Sequence, residues 1–412
     1  MRFEDLYMFI YIDALQLEYV NPKYMPNLFG LLGNRENVIH VLQNIPGYSF
    51  GIQSTLLSGL LPQETLHWMP YMFKTEKIER YFDYLKSPCD YNPLVCNALI
   101  QKVMSSFRNI RHENTRLLYE GFLRISVFWR KKSVKLCGMP MDHLGKILIF
   151  PYYYMNENPF FFMFKKELEE RSSISVDYLG HSLRKNIEGL SRVIRMNMGR
   201  NSRLFILGYI DDLDGVGHEK GVASSDWFNT LKSIDFFIGS IYKKLTTISK
   251  NVKILLFSDH GMCNADEYID LESLLRHLPK GSIDFFIDAT LAFICVHNET
   301  YKELVVELLK RKLKDKVLIF DVEKDKHVLK HYGVYFANGE YGNIIVQTKP
   351  CKEFLPNFYS VSRGLKGLHG FWPTEALQRA FILSIPSEDE FCKVPLHIKD
   401  VKGYILNQLY WE

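Results

Sequence analysis

Arg203-Leu204-Phe205-Ile206-Leu207-Gly208-Tyr209-Ile210-Asp211-Asp212-Leu213-Asp214-Gly215-Val216-Gly217-His218 is the stretch on which the fold turns. Its first eight residues are a near-continuous apolar run of strand length, the pattern of a strand buried on both faces. The run stops in acids, glycines and a histidine. Downstream, Trp227 to Thr247 carries apolar residues at 231, 234, 238, 241 and 245, the spacing of an amphipathic helix. Val252 to Phe257 is a second buried-strand pattern, and it ends in Ser258-Asp259-His260-Gly261. Strand, helix, strand predicts a βαβ unit, and so an α/β fold with a mostly parallel central sheet sandwiched by helices. Such a sheet presents ligands to a crevice beyond the carboxyl ends of its strands, where Asp214, His218, Asp259 and His260 fall.

The same pattern extends outward. Leu6 to Ile12 is an apolar run ending at Asp13, and Met25 to Leu32 reads as a short helix. After Asn44-Ile45-Pro46-Gly47 comes Tyr48-Ser49-Phe50-Gly51, then Ile52 to Ser58 with helical spacing and a stop at Gly59. Ser49 is therefore placed in a turn before a helix, where unpaired N–H groups and the positive end of the dipole favour a phosphate. Near the other end stand Gly367-Leu368-His369-Gly370, a strand at Ala380 to Ile385 and a helix near 398 to 409. The core is thus expected in three pieces, 1–75, 201–279 and 366–412. They are interrupted by a basic, aromatic and helical cap at 76–200 and a smaller α+β insertion at 280–365 with one helix, Thr300 to Leu313.

Asp13, Ser49, Asp214, His218, Asp259, His260 and His369 read together as a two-metal phosphate-ester site. Divalent ions on carboxylate and imidazole ligands can clamp a phosphoryl group, activate a serine and stabilise a leaving oxygen. Asp214 and His218 lie in what reads as a tight glycine-containing loop that would turn both side chains to one ion; a polar surface loop with an incidental histidine is the blander reading. Asp259 and His260 leave a strand in different directions unless a turn at Gly261 converges them. His369 sits between Leu368 and Gly370 on a backbone suited to close approach. Taken singly, Asp13 and Asp259 could be helix caps; all seven in order are harder to explain so.

At 412 residues and 47% hydrophobic, the chain has ample material for a large core in two or three domains. Net charge is +4, yet residues 76 to 203 hold 22 Lys and Arg against 13 Asp and Glu, a bias that suits an anionic substrate, an acidic membrane surface or a solvated helical face. Seven cysteines, without a CxxC pair and odd in number, predict free thiols in a reducing compartment and hence a cytoplasmic protein. Glu4 and Asp5 break any basic leader, so MRFEDLYMFIYIDAL reads as a first strand. The most apolar stretch, Ile147 to Phe164, is interrupted at Asn156-Glu157-Asn158-Pro159, so no transmembrane segment is expected. There is no specific nucleic-acid motif, and nothing bears on oligomeric state. Tyr152-Tyr153-Tyr154 and Phe160-Phe161-Phe162 read as packing in preference to an aromatic platform, and Arg184, Lys185, Arg192, Arg195 and Arg200 as a solvated helix face in preference to a second phosphate site.

In these landmarks the sequence resembles the alkaline phosphatase superfamily, and within it the type I phosphodiesterase/nucleotide pyrophosphatase branch, over residues 6 to 70, 203 to 290 and 335 to 385. The matching segments are Phe9-Ile10-Tyr11-Ile12-Asp13, Ser49 through Pro62, Asp214 to His218, Ser258-Asp259-His260-Gly261-Met262 and Gly367 to Gly370. The resemblance implies an alkaline phosphatase-like core, one metal on Asp214, His218 and His369, and a second on Asp13, Asp259 and His260. It also implies a nucleophile at Ser49 that forms a covalent phosphoseryl intermediate. Two divalent ions are implied, zinc first, with manganese or iron accepted by the same ligands. The expected activity is hydrolysis of a small anionic phosphate ester, a phosphodiester before a monoester. A phosphoryl transferase or mutase on the same site and a catalytically silent binding or sensing protein are the alternatives. Where nucleotide-cleaving relatives carry a Gly-Asn step about twenty residues after the nucleophile, this chain reads His67-Trp68-Met69-Pro70, and Gly51-Ile52-Gln53 replaces their Pro-Asn-His.

Overall fold

The computed structural model describes residues 2–33, 35, 38–73, 147–149, 155–172, 174–199, 202–279, 281–358, 364–386 and 396–410. Most of the expected cap, including Tyr152-Tyr153-Tyr154 and Arg200, lies outside them. The chain divides into two compact units, one of residues 1–68, 154–264 and 366–412, the other of 69–153 and 265–365.

The first unit holds a six-stranded sheet. Its strands are β1 (Phe3–Ile12), β2 (His40–Leu42), β3 (Ser175–Tyr178), β4 (Arg203–Ile210), β5 (Ser249–Ser258) and β6 (Ala380–Ile385), in the spatial order β2-β6-β5-β1-β4-β3. The pairs β5-β1, β1-β4 and β4-β3 are parallel, and only β6 runs against its neighbours. Side chains alternate across β1. Leu6, Met8, Ile10 and Ile12 face a core shared with α1 (Pro26–Leu31), α4 (Leu183–Asn197) and α6 (Ser225–Ile248), whereas Phe9 and Tyr11 face α2 (Ser49–Ser58), α3 (Pro159–Ser172) and α7 (Val401–Tyr410). Helices on both faces are why these strands read as unbroken apolar runs. Each fully buried Leu, Ile or Phe contributes roughly 1.5–3 kcal/mol.

Local signals set the helix boundaries. The Ser224 side chain accepts from Trp227 N at 3.2 Å and starts α6, and Ser182 accepts from Lys185 N at 3.3 Å and starts α4. Buried Asp235 on α6 accepts from Asn27 N, Asn27 Nδ2 and Leu28 N at 3.1, 2.8 and 2.9 Å, holding the N-terminus of α1 on the sheet.

Three expectations change. Residues 155–199, grouped by composition with the cap, supply β3, α3 and α4: β3 extends the parallel sheet beside β4, and α3 and α4 cover opposite faces. Amphipathic helices flanking a short edge strand do not differ in composition from a separate helical cap. Phe160 and Phe161 are buried in that core as packing residues, and Arg184 pairs with Glu188 at 2.8 Å on an exposed face of α4. Asp214 and His218 lie on a helix, α5 (Asp212–Lys220), instead of a loop; the glycines at 215 and 217 hid it. Cys263 and Cys351 are both disulfide-bonded, so the premise of free thiols fails at those positions; Cys295 is not in a disulfide. The other four cysteines lie outside the described residues.

The second unit has a four-stranded antiparallel sheet in the order Ile283–Ile287, Leu291–Val296, Ile344–Thr348, Val317–Asp321, with the helix Glu299–Leu313 packed on it through Val305, Leu309 and Leu313. Among the described residues, no helix is long and apolar enough to cross a membrane.

Candidate metal centre

All seven candidate residues belong to the first unit and gather at the carboxyl ends of its parallel strands. Asp13 follows β1, Asp259 and His260 follow β5, and α5 begins just beyond β4. His369 follows Gly367–Leu368, a short strand paired with Cys263–Asn264, which ties the last piece of the chain beside the β5 loop. Ser49 is the first residue of α2 and so stands within the helix N-terminus, one position later in structure than the expected turn.

Two triads form. The coordinating atoms of Asp214, His218 and His369 lie within 4.8 Å of one another, as do those of Asp13, Asp259 and His260. In the first, Asp214 and His218 are four apart on α5 and share a face. Asp214 Oδ1 is 3.3 Å from both His218 Nε2 and His369 Nε2, and those two nitrogens are 3.0 Å apart. In the second, His260 Nε2 is 3.2 Å from Asp259 Oδ2 and 3.6 Å from Asp13 Oδ1. The rings of His260 and His369 stack at 4.1 Å and join the triads. Ser49 Oγ donates to Asp13 Oδ1 at 3.1 Å and lies 3.0 Å from His260 Nε2.

This donor set fits cations. Asp214 Oδ1 is a buried acceptor with no hydrogen-bond donor, facing two imidazole nitrogens. His218 Nδ1 is 2.8 Å from Gly367 O, and His260 Nδ1 is 3.2 Å from Gly261 O. A carbonyl only accepts, so each Nδ1 carries the proton and each Nε2 offers a lone pair inward. Burial, then the neighbouring His260, holds His369 well below the usual imidazole range, which keeps it neutral and able to ligate. Burial opposes ionisation of Asp214, but His218 and His369 outweigh it and hold the carboxyl below its ordinary value. Burial, then the charges of Asp259 and Asp214, pushes Asp13 well above the ordinary carboxylate value. Crowded buried carboxylates of this kind are relieved by a bound cation.

The type I phosphodiesterase/nucleotide pyrophosphatase family model matches residues 7–372, a span that includes both triads and Ser49. The chain belongs to this family. As a member of the type I phosphodiesterase/nucleotide pyrophosphatase family it is a metal-dependent hydrolase of the phosphodiesterase type. Human ectonucleotide pyrophosphatase/phosphodiesterase 5 has a similar fold, with a TM-score of 0.61 and 15% identity over 98% of this chain and 94% of that one. An inactive variant of the murine ectonucleotide pyrophosphatase/phosphodiesterase 5 in complex with AMP superposes with a TM-score of 0.59 at 16% identity, over 99% of this chain and 95% of that one. No curated protein matches the chain by sequence.

The departure from the nucleotide-cleaving members of the family at His67-Trp68 has a structural counterpart. Trp68 Nε1 donates to Pro46 O at 2.7 Å, and the Trp68 carbonyl lies where a Cβ on Gly51 would meet it at 2.5 Å, so only glycine fits in that first turn of α2. His67 is fully buried against Phe50 and Phe160, with Nδ1 against Thr65 O. Burial, opposed only by that carbonyl, lowers its pKa to about 4. Below its ordinary value of 6.5 the unfolded chain binds a proton that the folded chain refuses. Stability is therefore intact above pH 6.5 and falls as the pH drops toward about 4, by about 3 kcal/mol from this residue. Urea titrations across that window should show the loss in the parent and a flatter limb in His67→Leu; equal limbs would exclude His67 as the cause.

Sequence reasoning missed the residues that hold the ligands. Tyr209 OH donates to Asp13 Oδ2, and Tyr11 OH donates to Asp259 Oδ2 at 2.8 Å. Burial, then the adjoining Asp259 for Tyr11 and Asp13 for Tyr209, holds both phenols well above their usual pKa, so both remain donors. Asn44 Nδ2 donates to Asp259 O at 2.7 Å and Gln378 O at 2.8 Å, and Gln378 Nε2 donates to Ile45 O and Gly47 O at 3.1 and 2.8 Å. These bonds brace the Ser49 loop against the β5 loop. The one sequence signal was a hydroxyl-bearing aromatic near the end of each of two aliphatic strands.

Proposed function

We propose that the protein hydrolyses phosphodiesters through attack by Ser49, with two divalent cations, zinc first, on Asp214, His218 and His369 and on Asp13, Asp259 and His260. The observation that carries this is the position of Ser49 Oγ, 3.1 Å from Asp13 Oδ1 and 3.0 Å from His260 Nε2, at the N-terminus of a ten-residue helix. When bound, the cations would lower the pKa of the nucleophile and neutralise charge on the phosphoryl oxygens.

The chain's own residues set the geometry. The Ser49 hydroxyl points its proton at Asp13 Oδ1, which leaves the oxygen lone pairs for phosphorus. The Ser49 Oγ–P bond forms as the bond from phosphorus to the leaving alcohol breaks. Water then cleaves the phosphoserine, returning the hydroxyl and a phosphomonoester. The N-terminal turn of α2 adds its dipole to the anion in both steps. The brace from Asn44 and Gln378 keeps the Ser49 loop in register with Asp259 through both steps.

The AMP in the murine structure and the family as a whole favour a nucleotide-type ester as one substrate class. Zinc-reconstituted protein should therefore cleave bis-p-nitrophenyl phosphate and the p-nitrophenyl ester of thymidine 5′-monophosphate faster than p-nitrophenyl phosphate, with turnover lost to a chelator. Preference for the monoester would overturn the diesterase reading. Preference for the bis-nitrophenyl ester over the nucleotide ester would fit the turned-in His67 and Trp68 and exclude nucleotides as the main substrate.

A further inference from the structure

We propose that Tyr209 is a positioning residue that confines Asp13 to one coordinating oxygen, as the backbone amides of Ala14 and His260 do for Asp259, and so sets the preference of this site for a four-coordinate transition metal over calcium. The inference rests on the reading of Asp13, Asp259 and His260 as ligands of one cation.

The two tyrosines are direct partners across the parallel β1–β4 pair, with rings edge to face at 5.0 Å. Tyr11 also packs edge-on to Phe257 of β5 at 5.0 Å. Buried rings in a matched register have little freedom, so the hydroxyls are fixed points at the carboxyl end of the sheet. Each holds the ligand of the next strand: Tyr209 on β4 donates to Asp13 beyond β1, and Tyr11 on β1 donates to Asp259 beyond β5.

The carboxylate oxygens can be accounted for singly. On Asp13, Oδ2 takes the Tyr209 proton, and Oδ1 faces Ser49 Oγ at 3.1 Å and His260 Nε2 at 3.6 Å. On Asp259, Oδ1 accepts from Ala14 N at 3.2 Å and His260 N at 3.0 Å, while Oδ2, steered by Tyr11 at 2.8 Å, stands 3.2 Å from His260 Nε2. Ala14 reaches that position through a left-handed backbone, φ 59°, immediately after Asp13. One oxygen per carboxylate is tied back and one faces the triad. With His260 Nε2 and the Ser49 hydroxyl that makes four donors, the number zinc takes; calcium needs about 6–8 oxygens and commonly bidentate carboxylates.

At position 209 a phenylalanine keeps the ring packing and removes only the proton that ties back Asp13 Oδ2. Tyr209→Phe, with Tyr7→Phe on β1 as a control for loss of a hydroxyl, would be compared with the parent by equilibrium dialysis against zinc and calcium, with metal-free melting curves to verify folding. Tyr209→Phe should keep one zinc at full affinity and bind the second about ten- to a hundredfold more weakly. Calcium binding should hold or rise, so that the zinc-to-calcium ratio narrows at least tenfold, and Tyr7→Phe should match the parent. An unchanged ratio, an equal fall for both metals, or the same change in Tyr7→Phe would overturn the proposal while leaving the ligand set intact. A parent protein that takes up only one zinc or none would overturn the ligand reading itself.

Discussion

Ser49→Ala is expected to lose at least ~10⁴-fold in diester turnover while keeping both metals and its melting temperature. The substitution deletes one oxygen whose partners, Asp13 Oδ1 and His260 Nε2, belong to the proposed ligand set and are satisfied by the cation when it is bound. The helix start does not depend on that side chain, because Gly51 N and Ile52 N bond to Tyr48 O. The stability change should therefore stay within about 1 kcal/mol. Acid-quenched protein incubated with a labelled diester should carry phosphate in the parent and none in the variant. Turnover within tenfold of the parent would mean that water attacks directly, and the covalent step would be withdrawn.

Asp214→Asn is expected to reduce bound metal from about two ions per chain to about one, with turnover falling on the order of 10³-fold. The Asp214 carboxyl is held below its ordinary pKa by His218 and His369 although burial opposes ionisation, so it supplies the negative charge of its triad. The amide has the same shape but no charge, and its N–H groups can donate to the imidazole nitrogens now 3.3 Å away. The metal-free variant should melt somewhat below the metal-free parent, because a carboxyl held below its ordinary pKa contributes stability to the fold, and the gain in stability on adding zinc should shrink. Zinc at a thousandfold excess over its dissociation constant adds about 4 kcal/mol per site, enough to resolve one site from two. Elemental analysis showing two ions in the variant would remove Asp214 from the ligand set.

The parts of the site that were legible in the sequence owe this to local physics. Leu6 to Ile12, Arg203 to Ile210 and Val252 to Phe257 read as buried strands because a strand covered on both faces must be apolar at every position, and all three are central strands of the sheet. The acids and histidines that end those runs stood out because a buried strand rarely stops in charge without a use for it. Where the local signal was weak the reading went astray. Gly215 and Gly217 disguised α5, although a helix brings Asp214 and His218 onto one face more directly than a loop would. Ser175 to Tyr178 is too short to show a period, so β3 and its two helices were placed with the cap.

The sequence by itself determined the class of fold, the order of the core strands along the chain, and the seven residues worth locating, since periodicity, turn chemistry and motif spacing are properties of neighbouring residues. Only the tertiary structure decided that residues 13, 49, 214 and 369 meet, that two triads are joined through stacked His260 and His369, and that Tyr11 and Tyr209 hold the carboxylates from the strands beside them. Those relations depend on which strands pair and in what register. Pairing is chosen by burial and hydrogen bonding over the whole unit, so no stretch of the chain read alone contains it.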